Sequence, residues 1–263
     1  MKLGFIGAGN MGYAMLKGCK SVFEDGLVYT DVSLKRLEAV KAELGIDYVT
    51  TNQEVVDKSD IIVLAIKPQY MAEVLMDLDI DSSKIVITIA PGITIDHVNA
   101  LISGEPRIVR AMPNTPALVG EGMSAISFSK DAYTQTERKI IFMLFESFGK
   151  ALELPENLMD AVVPVSGSSP AYVFMFIEAL ADGAVLQGIS RDKAYELAAQ
   201  SVLGAAKMVL ETKQHPGILK DNVCSPGGTT IEAVRVLEKN GFRSAIIEAM
   251  NACYQKALSF KKN

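Results

Sequence analysis

The chain has 263 residues, 49% hydrophobic and 22% charged, with a net charge of −5. This is the balance of an ordinary soluble globular protein of one or two domains, and its acidity argues against a nucleic-acid or anionic-membrane surface. Three cysteines, Cys19, Cys224 and Cys253, are widely separated, which fits neither a disulfide framework nor a metal site and suits a reducing cytoplasm.

Lys2 to Ile6 is a short apolar run that flows into Gly7-Ala8-Gly9-Asn10-Met11-Gly12, so it reads as a strand rather than a secretory signal. A helical pattern follows from Tyr13 to Lys20. The spacing G-x-G-x-x-G between strand and helix is the dinucleotide-binding fingerprint. Gly7 permits the tight turn, Gly9 the approach of backbone amides to a pyrophosphate, and Gly12 close helix–strand packing. A glycine-rich turn with no ligand is the bland alternative.

Strand and helix then alternate. Leu27 to Thr30 predicts a second strand, Ser33 to Glu43 a charged helix, Tyr48 to Thr50 a short strand and Asn52 to Val56 a short helix. Ile61 to Ile66, Ile85 to Ile89 and Arg107 to Met112 are continuous apolar runs stopped by proline-containing segments, as suits buried parallel strands. Met123 to Phe128 alternates and predicts an antiparallel addition. The expected fold class is α/β, with a Rossmann-like, mostly parallel sheet over residues 1–154. Ala65-Ile66-Lys67-Pro68, Ile89-Ala90-Pro91 and Met112-Pro113-Asn114 fall at strand ends, where such sheets bind ligands.

Asp31 ends the second strand. A carboxylate there hydrogen-bonds a ribose 2′-hydroxyl and repels a 2′-phosphate, which favours NADH. Lys35 and Arg36 follow, read as solvated charges on a helix face, yet close enough to meet a phosphate. NADPH and NADH both stay open.

Beyond Pro155 no strand pattern appears, and residues 155–263 predict an all-α domain. Helices are expected over Ala171 to Leu186, Arg191 to Leu210, Ile231 to Lys239 and Gly241 to about Phe260. Val162 to Ile189 is apolar but interrupted by Ser166 to Pro170, Glu178 and Asp182, so a buried core helix is expected rather than a membrane span. The many small residues suggest close helix contacts, with a homodimer interface as the expectation and a monomeric bundle as the alternative.

The usual catalytic residues are missing from this half. His97 and His215 are the only histidines, one in an expected helix and one read as a turn residue before Pro216, and no Lys or Arg lies between Lys150 and Arg191. An imine suits such a site, because it carries its own proton near neutral pH. Cys224 to Thr230 are all small, hydroxylated, Gly or Pro, and lead into the pattern Ile231, Val234, Leu237. A Pro-Gly-Gly loop at a helix start suits a small anion. Thr229-x-x-Glu232 has capping-box spacing, so Thr229 is expected to cap the helix and Thr230 to face a ligand. Ser166-Gly167-Ser168-Ser169-Pro170 is a second hydroxyl cluster, readable as a site or as a cap.

With these residues in view, the chain resembles pyrroline-5-carboxylate reductase over essentially its full length. The resemblance rests on Gly4 to Gly12, Ala65 to Pro68, Arg110 to Pro116, Val165 to Tyr172 and Asp221 to Ile231. It implies reduction of 1-pyrroline-5-carboxylate to L-proline by NADPH or NADH, in a Rossmann domain followed by a helical dimerisation domain, with dimers often built into decamers. It further implies cofactor contacts from Ile6, Gly7, Ala8, Gly9, Asn10 and Met11, from Asn52, and from Ala65, Ile66, Lys67, Pro68, Ile89, Ala90 and Pro91, with Asp31 near the ribose. Val223, Ser225, Gly227, Gly228, Thr229 and Thr230 would form the substrate site, with Thr230 as the catalytic residue near the ring nitrogen and no metal. Many members carry Asn-Arg or a serine where Asp31-Val32 stands, which leaves the nucleotide open. A β-hydroxyacid dehydrogenase shares the glycine-rich opening but relies on a helical-domain lysine that Gly167 to Ser190 lacks. A non-turnover NAD(P)-binding sensor would have no use for the second anion loop.

Overall fold

The computed structural model describes residues 1–130 and 132–259. The chain divides into two compact units, Met1–Ser168 with the segment from Cys253 onward, and Ser169–Ala252.

In the first unit the elements run β1 (Leu3–Ile6), α1 (Asn10–Phe23), β2 (Leu27–Thr30), α2 (Leu34–Leu44), α3 (Asn52–Lys58), β3 (Ile61–Leu64), α4 (Met71–Met76), β4 (Ile85–Thr88), α5 (Ile95–Leu101), β5 (Arg107–Met112), β6 (Gly122–Phe128), α6 (Gln135–Glu146), β7 (Gly149–Glu153) and α7 (Met159–Val162). The sheet order is β2-β1-β3-β4-β5-β6-β7. The first five strands are mutually parallel, β6 is antiparallel to β5, and β7 is parallel to β6.

Continuous apolar runs are explained by burial on both faces, since successive strand side chains point to opposite sides. Phe5, Val63, Ile87 and Val109 pack on one face with Met15, Leu16, Leu144 and Phe145 of α1 and α6. Ile6, Ile62, Leu64, Val86 and Ile108 pack on the other with Val55, Met71, Leu75 and Val98 of α3, α4 and α5. Each such side chain contributes roughly 1.5–3 kcal/mol by leaving water.

Three local expectations change. Tyr48 to Thr50 makes only a single bridge, Tyr48 to Tyr29, because the chain turns at Thr51 into the capping box that opens α3. The edge strand β7 was not expected: its sequence GKALE has no apolar run, and all of its residues are at least partly exposed. α6 was also missed, although its own capping box of Thr134 and Glu137 marks the start.

The second unit holds α8 (Ser169–Leu186), α9 (Arg191–Thr212), α10 (Pro216–Val223), α11 (Thr229–Lys239) and most of α12 (Phe242–Ser259). The expected end of the last helix at Phe260 lies outside the described residues. α8 and α9 form a hairpin closed by Gly188 at φ +96°, with Ile189 N–H returning to the Ala184 carbonyl. α8 is not the buried core helix expected. Only Ala181 is buried, and Val173, Phe174, Met175, Phe176, Leu180 and Leu186 are exposed. Packing among the elements of one chain leaves most of the apolar side chains of this helix uncovered. The longer stretch Glu156–Leu186 is long and apolar enough to cross a membrane by those two measures.

Candidate active site

Strand register aligns the C-terminal ends of the parallel strands: Ile6 pairs with Thr30 and Leu64, Leu64 with Thr88, and Thr88 with Arg110. The chain therefore leaves the sheet on one edge, into the Gly7 loop, Asp31, Ala65–Pro68, Ile89–Pro91 and Asn114. Strand order reverses at β1, with β2 on one side and β3 on the other. A crevice at such a switch point is where open α/β sheets bind ligands. The structure thus brings the expected residues of the first unit together on this edge, while Asn52 opens the neighbouring α3.

The glycine loop is held by Gly7 N–H to the Thr30 carbonyl at 2.9 Å and Ala65 N–H to the Ile6 carbonyl at 2.8 Å. Gly7 has φ +99°, and a Cβ there would lie 2.5 Å from the Ala65 carbonyl oxygen. A Cβ on Gly12 would lie 2.2 Å from the Gly7 carbonyl oxygen. At Gly9, by contrast, a Cβ would meet nothing within 4 Å, so the loop is open there. Gly9 is the N-cap of α1, no side chain caps the helix, and its first turn has no acidic residue. The first amides of α1 and its dipole thus face an open cradle with no acidic residue in the helix's own first turn. The residues present fit a dinucleotide.

Asp31 is already engaged. Its carboxylate accepts from Ala8 N–H at 2.8 Å through one oxygen and from Ser33 N–H at 2.9 Å through the other. Arg36 is not the solvated helix-face charge that the sequence suggested. It is half-buried, its Nε donates to the Ala8 carbonyl at 2.6 Å, and its guanidinium lies 4.9 Å from the Tyr13 ring centre. Tyr13 in turn donates to Glu43, and that bond raises its pKa.

Behind β5, Asn114 is buried and used twice. Its Nδ2 donates to the Ser166 carbonyl at 2.9 Å, and its Oδ1 accepts from Met123 N–H at 2.8 Å. This ties the end of β5 to a π-helical turn, Val163–Gly167, in which Ser168 N–H reaches back to the Val163 carbonyl at 2.8 Å. The second hydroxyl cluster lies here. Ser168 Oγ accepts from Cys253 Sγ at 3.3 Å, and Ser166 Oγ donates to the Val162 carbonyl at 3.5 Å. The preceding helix α7 is anchored to β5 by Asp160 and Arg110, both 3% exposed, whose Oδ1 and Nη2 lie 2.7 Å apart. Nη1 of Arg110 has no hydrogen bond and sits 3.8 Å from Glu156 Oε1, which accepts from Ile95 N–H at the start of α5. Nothing in the sequence pattern pointed to this pair, because its members are 50 residues apart.

In the second unit, α10 ends at an exposed Val223 and the chain turns through Cys224–Gly228 into α11. Gly227 takes φ +66°, and Gly228 N–H returns to the Ser225 carbonyl at 3.0 Å. A Cβ on Gly228 would stand 2.4 Å from Ser225 Oγ. The expected Thr229 cap is absent. Gly228 is the N-cap and Thr229 the first helical residue, so its hydroxyl no longer reaches the third helical amide, and Glu232 pairs with Arg235 instead. The start of α11 carries no side-chain cap, which leaves its amides open. Thr230 is half-buried and Thr229 exposed. His215 is a helix cap rather than a turn residue, its Nδ1 accepting from Gly217 N–H at 3.1 Å. His97 is exposed on α5.

A family model described as pyrroline-5-carboxylate reductase dimerisation matches residues 156–260, and one described as NADP oxidoreductase coenzyme F420-dependent matches residues 2–92. Pyrroline-5-carboxylate reductase of Escherichia coli is 48% identical over 268 residues, covering 100% of this chain and 99% of that one. The enzyme of Methanosarcina acetivorans is 47% identical, covering 95% and 94%. Among solved structures, Plasmodium falciparum pyrroline carboxylate reductase with NADP bound superposes with TM-score 0.88 at 36% identity, covering 99% of this chain and 98% of that one. The Coxiella burnetii enzyme superposes with TM-score 0.90 at 31% identity, covering 100% and 99%. Fold, glycine cradle and full-length similarity agree, and the chain belongs to the pyrroline-5-carboxylate reductase family.

Proposed function

We propose that this protein reduces 1-pyrroline-5-carboxylate to L-proline, the last step of proline biosynthesis, using NADPH or NADH. The observation that carries the reading is the uncapped start of α11 behind the Ser225–Gly228 loop, an anion cradle whose one first-turn carboxylate, Glu232, is paired with Arg235. The Gly227 amide and the uncapped first amides of α11, with the hydroxyls of Ser225 and Thr229, hold the substrate carboxylate, Gly228 shapes the turn through its bond to Ser225, and Val223 supplies an apolar wall. Thr230 hydrogen-bonds the ring nitrogen and fixes the imine carbon for attack. An iminium already carries its proton, so the site supplies position and local electrostatics rather than a strong acid.

The bound nicotinamide supplies the hydride. Ile6–Met11 hold the pyrophosphate, Asp31 and Asn52 lie toward the adenosine, and Ala65–Pro68 with Ile89–Pro91 form the rim. The functional domains are residues 1–154 and 155–263. The exposed apolar surface of α8 is covered in a homodimer made through the second of these, with assembly up to a decamer. The protein works in the cytoplasm, without nucleic-acid or membrane partners, in keeping with its net charge of −5. The test is oxidation of NADH and of NADPH, followed by absorbance in parallel with 1-pyrroline-5-carboxylate as acceptor. No substrate-dependent oxidation with either nucleotide overturns the reading.

A further inference from the structure

The adenosine end of the cradle carries two opposite charges whose roles differ from those the sequence suggested. Both oxygens of Asp31 accept backbone amides, from Ala8 and Ser33, so this carboxylate already serves as a latch between the glycine loop and the start of α2. Arg36 is fixed at two points, by the Ala8 carbonyl at Nε and by the Tyr13 ring, over which its guanidinium carbon lies. Its two Nη groups have no partner among the described residues. A guanidinium anchored through Nε keeps its two terminal N–H groups as a fork, the geometry that suits a phosphate. Lys35 is exposed beside it, and Val32, between Asp31 and the helix cap, is fully exposed and covers nothing.

We propose that Arg36 is the residue through which this chain binds the 2′-phosphate of NADPH, and that Asp31 positions the loop rather than rejecting that phosphate. The inference rests on the reading of Gly7–Gly12 as the pyrophosphate cradle. A preorganised guanidinium loses little rotamer freedom on binding, so its charge-assisted hydrogen bonds are worth about a tenfold to hundredfold difference in affinity.

The test is calorimetric titration of the full-length protein, without substrate, with NADP⁺ and NAD⁺. Arg36→Gln is expected to weaken NADP⁺ about tenfold to hundredfold and NAD⁺ less than about twofold. Arg36→Lys should fall between, since an ammonium keeps the charge but loses the fork. Equal weakening of both nucleotides by Arg36→Gln would show that Arg36 only supports the loop, and unchanged NADP⁺ binding would show that it does nothing there. Either overturns the proposal. If the unaltered protein binds neither nucleotide, the cradle reading itself fails and the proposal falls with it.

Discussion

Replacing Asp160 by alanine strands a buried guanidinium. Arg110 and Asp160 are each 3% exposed and meet at 2.7 Å, with the next carboxylate, Glu156, 3.8 Å from the other Nη. Removing one partner of a buried ion pair leaves an uncompensated charge and costs about 3–5 kcal/mol. Glu156 is half-buried and already accepts from Ile95 N–H, so its distant charge offsets part of that, and a loss of about 3 kcal/mol is expected for Asp160→Ala. Arg110→Met with Asp160→Ala removes both charges and should be less destabilised than Asp160→Ala alone, because an apolar pair carries no desolvation cost. Urea unfolding at a fixed protein concentration measures the cycle, since self-association shifts apparent stability. A loss below about 1 kcal/mol for Asp160→Ala, or a double variant no better than the single one, refutes the view that the pair is buried and uncompensated without its partner.

Gly12→Ala places a Cβ 2.2 Å from a backbone carbonyl that cannot swing aside, so nucleotide affinity should fall at least about tenfold, read by calorimetry. Thr230→Ala should lower kcat/KM by about tenfold to hundredfold while leaving nucleotide Kd unchanged; unchanged kinetics remove Thr230 from the mechanism. Glu137 accepts from Arg107, which holds its pKa down at about 2. A depressed carboxylate stabilises the fold above its unfolded pKa and loses that effect as pH falls through the folded one. The stability advantage over Glu137→Gln, of order 1–2 kcal/mol after solvent screening, should therefore persist at neutral pH and fade between about pH 5 and pH 2 in acid denaturation. A constant difference across that range rules out the ion pair as its source.

The parallel strands were legible because burial on two faces demands uninterrupted apolar runs, and Ile61–Leu64 and Ile85–Thr88 display them. The glycine loop was legible because backbone geometry excludes other residues at Gly7 and Gly12. β7 was not, since Lys150 and Glu153 of an edge strand face water and leave no pattern. Thr229 misled because capping-box spacing does not say which residue takes the last non-helical conformation, and here Gly228 does. The burial of α8 was misread because apolarity records that a surface is covered, not by what.

By itself, then, the chain determined the five parallel strands, the position of the glycine cradle and the small-residue loop before α11. These follow from local periodicity and from the steric demands of single residues. Only the tertiary structure decided that Asp31 latches the loop, that Arg36 folds back over Tyr13, that Asn114 ties β5 to the π-turn and that Arg110 ties it to α7. Charges and amides of this kind find their partners across 23 to 52 residues of sequence, where no periodicity records which hydrogen bond will be made.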